Sequence, residues 1–240
     1  MNFTKEEYHM RKTDVAETIT QAQTVLKELT VTGERARGVP KGVVDSEVAA
    51  QMAYCYYVGE GVTKDVEEAL RWYRYAADAG NATACYNLAF CYLMGEGIAA
   101  DDAQAVKWLR RAAQLGDCLS QRLLASLLER GKGAKQDYVE AFRLYSAAAR
   151  EGDLPSQCSL GLFYERGLGV EPNAALAFAW YRKAAERGYA RAQYNLGVCY
   201  QNGMGTPADY SQALAWWRLA ALQGNAEAVE ALDRCGVVVG

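Results

Sequence analysis

The chain has 240 residues, 51% hydrophobic and 23% charged, a globular balance that excludes disorder over most of its length. Its 26 basic and 29 acidic side chains leave a net charge of −3, which argues against a general nucleic-acid binder. The single histidine, His9, cannot furnish an all-histidine metal site or a Ser-His-Asp triad, and 41 alanines against 4 prolines favour helix over sheet.

The opening MNFTKEEYHMRKTD is charged and carries no apolar stretch, so the sequence predicts no secretory signal. No apolar run anywhere approaches the ~18 residues that a membrane span needs. Val15, Ile19, Ala22, Leu26 and Leu29 then fall on one helical face, with Asp14 and Glu17 as a capping box. The spacing predicts a helix over about 14–30, ended by Gly33, with a linker at 34–42. Residues 1–42 are read as a cap on the repeats that follow, since exposed solenoid ends need covering. The competing reading is an element that docks a partner or mediates a dimer.

From residue 43 the sequence repeats. Gly80, Gly116, Gly152, Gly188 and Gly224 are each 36 residues apart. The pairs Gly59/Gly61, Gly95/Gly97, Gly131/Gly133, Gly167/Gly169 and Gly203/Gly205 keep that spacing. So do Asp65, Asp101, Asp137, Asn173 and Asp209, and a column of Trp72, Trp108, Trp180 and Trp216 in which Leu144 stands alone. Five copies run without an insertion, over about 45–80, 81–116, 117–152, 153–188 and 189–224.

The last copy shows the chemistry of the unit. Ala192, Leu196, Gly197 and Tyr200 share one face of a first helix, which Gly203 and Gly205 terminate. Asp209 is expected to cap a second helix, because its carboxylate can accept from the free N–H groups of the first turn. In that helix Ala213, Trp216, Ala220 and Ala221 are expected to form the buried stripe, and Gly224 to end it. Each unit is a helical hairpin that buries its apolar face only by stacking on a neighbour. Residues 225–235 read as the first helix of a sixth unit, making 225–240 a C-terminal half-repeat and tail.

The pattern A-x-A-x-x-x-L-G-x-x-Y-x-x-G-x-G, then D-x-x-x-A-x-x-W-Y-x-x-A-A-x-x-G, resembles the Sel1-like repeat family, related to TPR-type α/α solenoids. Residues 190–224 and 82–116 match it closely, and the likeness covers about 46–240. The third copy departs most, with Ala125 for the helix glycine, Leu128 for the tyrosine and Leu144 for the tryptophan. The resemblance implies an all-α superhelical solenoid of five full repeats with helical caps.

The recurring GxG turns lack the preceding strand and following Lys-Ser/Thr of a phosphate loop, so they are read as helix ends, and no cofactor is expected. Cys55, Cys91 and Cys199 share a column, while Cys85, Cys118, Cys158 and Cys235 are scattered. Equivalent helices of adjacent units should stand about 8–10 Å apart, beyond the ~7 Å limit of a disulfide's Cα atoms. Reduced thiols and a cytoplasmic setting are therefore expected. There is no C-x-x-C pair, so no metal site is expected either.

What remains is a surface. The resemblance implies that the first helix of each unit lines a concave face. The variable columns expected to bind a partner are Tyr54 and Tyr57; Tyr86, Asn87, Phe90 and Met94; Arg122, Ser126 and Arg130; Leu162 and Arg166; Tyr194, Asn195, Val198 and Asn202. That face is aromatic toward the N-terminal end and basic or polar further on, and aromatics and arginine dominate interface energetics. The sequence is therefore read as a non-catalytic module binding a protein or peptide, with no nucleic acid or membrane, as a monomer or weak dimer. The alternative is a bacterial immunity or regulatory protein that neutralises one effector; an enzyme is the weakest reading.

Overall fold

The computed structural model describes residues 20, 22, 24, 25 and 44–237. Every regular element among them is a helix. The chain forms two compact units, with the boundary in sequence between Gln136 and Asp137.

The first unit contains α1 (Ser46–Val58), α2 (Val66–Asp78), α3 (Ala82–Met94), α4 (Asp102–Gln114) and α5 (Cys118–Arg130). The second contains α6 (Tyr138–Arg150), α7 (Leu154–Arg166), α8 (Ala174–Ala185), α9 (Ala190–Asn202), α10 (Tyr210–Leu222) and α11 (Ala226–Arg234). Odd-numbered helices are the first helices of the hairpins and even-numbered ones the second. The chain is thus an all-α repeat of helical hairpins, the solenoid class expected from the 36-residue period.

The second helices begin where the acid-or-amide column places them. Asp65, Asp101, Asp137, Asn173 and Asp209 each sit in extended backbone and accept from the N–H three residues on, at Glu68, Gln104, Glu140, Leu176 and Gln212. The first helices carry their own caps, which the sequence reading passed over. Asn81, Asp117, Asp153 and Asn225 accept from the third following N–H, and Tyr189 at the same position makes no side-chain cap.

The two glycines of each GxG turn have different tasks. The first ends the helix in left-handed backbone, as at Gly95 with φ of 71°. The second, also at positive φ, lies against the preceding hairpin. A Cβ on Gly133 would come 2.2 Å from the Asp102 carbonyl oxygen, and one on Gly205 would come 2.2 Å from that of Ala174. Gly61, in the first copy and with no hairpin before it, has nothing within 4 Å.

Glutamines join successive hairpins. Gln121, Gln157 and Gln193 each donate to the carbonyl eight residues earlier, at Ala113, Ala149 and Ala185, over 3.4, 3.1 and 3.2 Å. These carbonyls belong to the last turn of the preceding second helix, where they also accept from the backbone N–H of Gly116, Gly152 and Gly188.

The core differs from the sequence expectation in one column, in every copy but the first, where Trp72 is 1% exposed. Trp216 is half-buried, whereas Trp217 is 2% exposed and packs with Ala213, Ala220 and Ala221. Tyr73, Leu109, Tyr145 and Tyr181 occupy the same deep column as Trp217. The cause lies in the facing first helix. A Cβ on Gly197 would meet the Trp217 indole at 2.4 Å, and one on Gly161 would meet the Tyr181 ring at 2.4 Å. The missing side chains make room for the rings. The Trp217 indole N–H is satisfied by the Tyr194 carbonyl at 3.1 Å.

The predicted helix at 14–30 falls almost wholly outside the described residues. Those that are described, Thr20, Ala22, Thr24 and Val25, are helical. Ala22 is 0% exposed in a cluster with α1, α2 and α3 side chains, and Val25 packs against that cluster.

Candidate functional site: the first-helix face

The first helix of each hairpin carries five columns, those of Tyr54, Tyr57, Tyr86, Asn87 and Met94, that are neither the alanine-rich seam nor the helix cap. In the second unit these columns are partly open: Cys158 and Ser159 on α7 are buried, at 2% and 7% exposure. Leu162 on α7, and Tyr194, Asn195 and Val198 on α9, are half-buried, while Arg166 and Asn202 in the last turns are exposed. Tyr194 and Val198 lean on the terminal cluster around Trp217 and Leu232. The Asn195 amide donates to the Cys158 sulfur at 3.5 Å.

In the first unit the same columns are closed in part. Tyr86, Asn87, Phe90 and Ser126 are buried, at 4%, 0%, 7% and 2% exposure. These four positions were expected to bind a partner, but in this structure they present no open surface. Tyr54, Tyr57, Met94 and Arg122 are half-buried, and Arg130 is exposed. Arg130 folds back on its own helix, donating to the Ser126 carbonyl and hydroxyl oxygens at 3.1 Å each. The Tyr57 hydroxyl donates to the Glu96 carboxylate of the next hairpin. Burial and that carboxylate both push the phenol's pKa up, so it stays a neutral donor. Tyr181 is held in the same way, donating to Glu165 at 2.6 Å.

The cysteine chemistry is quiet. None of the seven cysteines is in a disulfide. Burial pushes Cys85 up to about 11 and Cys91, Cys158 and Cys199 up to about 12, so they stay protonated and unreactive near neutrality. Among the described residues no cluster of His, Cys, Asp and Glu is placed to hold a metal ion. No helix among them is long and apolar enough to cross a membrane.

A shallow depression lined by Asp78, Val106, Lys107, Trp108, Arg110 and Arg111 lies beside α4. Its charges are turned on one another. Arg111 donates to the Asp78 carbonyl at 2.8 Å and approaches its carboxylate at 3.6 Å. Lys107 and Arg111 both stand over the Trp108 ring, 6.0 and 5.9 Å from its centre.

Comparison with known proteins matches this architecture. The sequence profile of the Sel1 repeat matches five times in tandem, at 46–81, 82–117, 118–153, 154–189 and 190–225. Among solved structures, the chain is similar to a Sel1 repeat protein from Oxalobacter formigenes, with 33% identity and a TM-score of 0.78. That likeness covers 90% of this chain and 88% of the other. It is also similar to c5321, a protective antigen of uropathogenic Escherichia coli strains displaying an SLR fold, with 35% identity and a TM-score of 0.74. Here the match covers 88% of this chain but only 43% of the antigen. No curated protein matches the sequence.

Proposed function

The chain belongs to the Sel1 repeat family, and from that premise we propose that it is a non-catalytic module whose protein or peptide partner docks on the face lined by first helices. Proteins of this family generally serve in protein interactions and are typically non-catalytic. One observation carries the reading to a particular place. In the second unit, side chains suited to recognition stand open on a rigid scaffold: Leu162, Tyr194 and Val198 half-buried, Arg166 and Asn202 exposed. A half-buried aromatic offers contact area at little entropic cost, and an exposed arginine adds directional donors. The four positions closed in the first unit are not part of this surface. The seven cysteines, none in a disulfide, support a reducing setting such as the cytoplasm.

The test is affinity capture from cells of the source organism by the wild-type chain and by a Leu162→Glu/Arg166→Glu variant. A protein held by the first and lost by the second, with helical content unchanged, is the expected result. An identical captured set rejects this face.

A further inference from the structure

The depression beside α4 concentrates positive charge. Lys107, Arg110 and Arg111 line it against a single carboxylate, that of Asp78, an excess of two positive charges in a chain whose net charge is −3. The same three positions of the repeat hold two cations on α2 and on α8, and one on α6 and on α10. The one acid within α4, Asp102, is engaged by Lys132 at 3.0 Å.

Two of these cations are held in place before anything binds. Lys107 and Arg111 stand over the Trp108 ring, and the Asp78 carbonyl anchors Arg111 at 2.8 Å. Trp108 is fixed in turn, half-buried against the core cluster of the first unit. Side chains already ordered lose less entropy on binding, and tryptophan and arginine carry much of the energy of protein interfaces. A small molecule needs a concave site that covers most of its surface, which a shallow depression does not offer. Side chains presented by another protein surface fit it better, and the positive excess selects carboxylates among them.

We propose that this depression is a docking site for an acidic segment of a protein partner, whose carboxylates pair with Lys107 and Arg110. The five N–H donors of the Arg110 guanidinium accommodate a carboxylate beside any contact it already makes. Arg111, turned on Asp78, frames the site. The depression is built from the second helices α2 and α4 alone, so it is separate from the first-helix face, and either surface can fail while the other stands.

The test titrates the isotope-labelled full chain with an oligoglutamate peptide and follows the Trp108 indole N–H signal by NMR, assigned with Trp108→Phe. Oligoglutamate is expected to shift that signal, and an oligoglutamine peptide of the same length to leave it in place. Added salt should weaken the binding, because exposed charges are screened. A Lys107→Gln/Arg110→Gln variant should bind about tenfold more weakly, as expected for the loss of two exposed ion pairs. Neither residue belongs to the buried stripe of α4, so the Tm should hold. Should the double variant not fold, Lys107→Gln alone, at an exposed position, should weaken binding about threefold. The proposal is overturned if oligoglutamate leaves the Trp108 signal unmoved, if oligoglutamine acts equally, or if the variant binds as tightly as the wild type. It is also overturned if inorganic phosphate at equal concentration displaces the peptide, which would make this a small-anion site. A stronger response to phosphatidylglycerol vesicles than to the peptide would make it a lipid site and overturn it as well.

Discussion

The second glycine of the GxG turn allows the joint between hairpins to be separated from backbone strain. Gly61 and Gly205 have nearly the same conformation, with φ of 76° and 70°. Alanine at either position has to adopt a left-handed backbone, at about 1 kcal/mol. Their surroundings differ. The new methyl at position 61 enters open space, whereas at 205 it lies 2.2 Å from the Ala174 carbonyl oxygen and 2.9 Å from Phe178 Cβ. A carbon and a carbonyl oxygen normally stay about 3.3 Å apart, so the hairpins have to separate by about 1 Å. Overpacking of this kind adds roughly 1–3 kcal/mol. Gly61→Ala should therefore cost about 1 kcal/mol, and Gly205→Ala about 3. At about 2–4 °C per kcal/mol for a chain of this size, the Tm falls by about 3 °C and about 9 °C respectively. Hydrogen exchange should also show α10 and α11 opening sooner in the second variant only. Equal losses for the two would mean that the glycine serves its own backbone and that the close approach to Ala174 costs nothing.

Other consequences are as concrete. Asp101→Ala removes a carboxylate that accepts from two N–H groups, at Ala103 and Gln104, and should cost about 1 kcal/mol in urea unfolding. Gly197→Ala drives a methyl into the Trp217 indole and should cost roughly 1–3 kcal/mol, with a shift in tryptophan fluorescence as its signature; an unchanged Tm would show that the ring is free to move. Under native conditions Ellman's reagent should react readily only with Cys118 and Cys235, the two that are not buried, and prompt reaction of a third thiol would contradict the packing. The raised pKa values of Cys85, Cys91, Cys158 and Cys199 make a pH dependence. The unfolded chain loses these protons first, so their contribution is complete below about pH 9, the ordinary thiol value, and is lost as pH rises toward 11–12; the Tm should decline across that window.

Much of the fold was legible because its signals are local and recur. An Asp that caps a helix, or a glycine that ends one, acts within a few residues, and each recurs in step. Trp217 was misread because Trp216 and Trp217 are adjacent aromatics only ~100° apart on the helix, and both columns are rich in rings. The signal that decides between them lies across the hairpin, in Gly161 and Gly197, whose missing side chains match the deep column. Gln121, Gln157 and Gln193 escaped notice because a glutamine in a helix reads as surface until the facing carbonyl is known. The candidate site was the least legible part. Tyr86 and Tyr194, or Phe90 and Val198, hold the same positions in the repeat, and nothing local distinguishes a covered copy from an open one.

Docking of a partner on the first-helix face of the second unit can be read from a footprint of the complex against the free chain. Tyr194, Val198 and Leu162 should lose reactivity when the partner binds. Protection confined to the exposed second-helix residues Tyr210, Leu219 and Leu222, with Tyr194 unchanged, would contradict it.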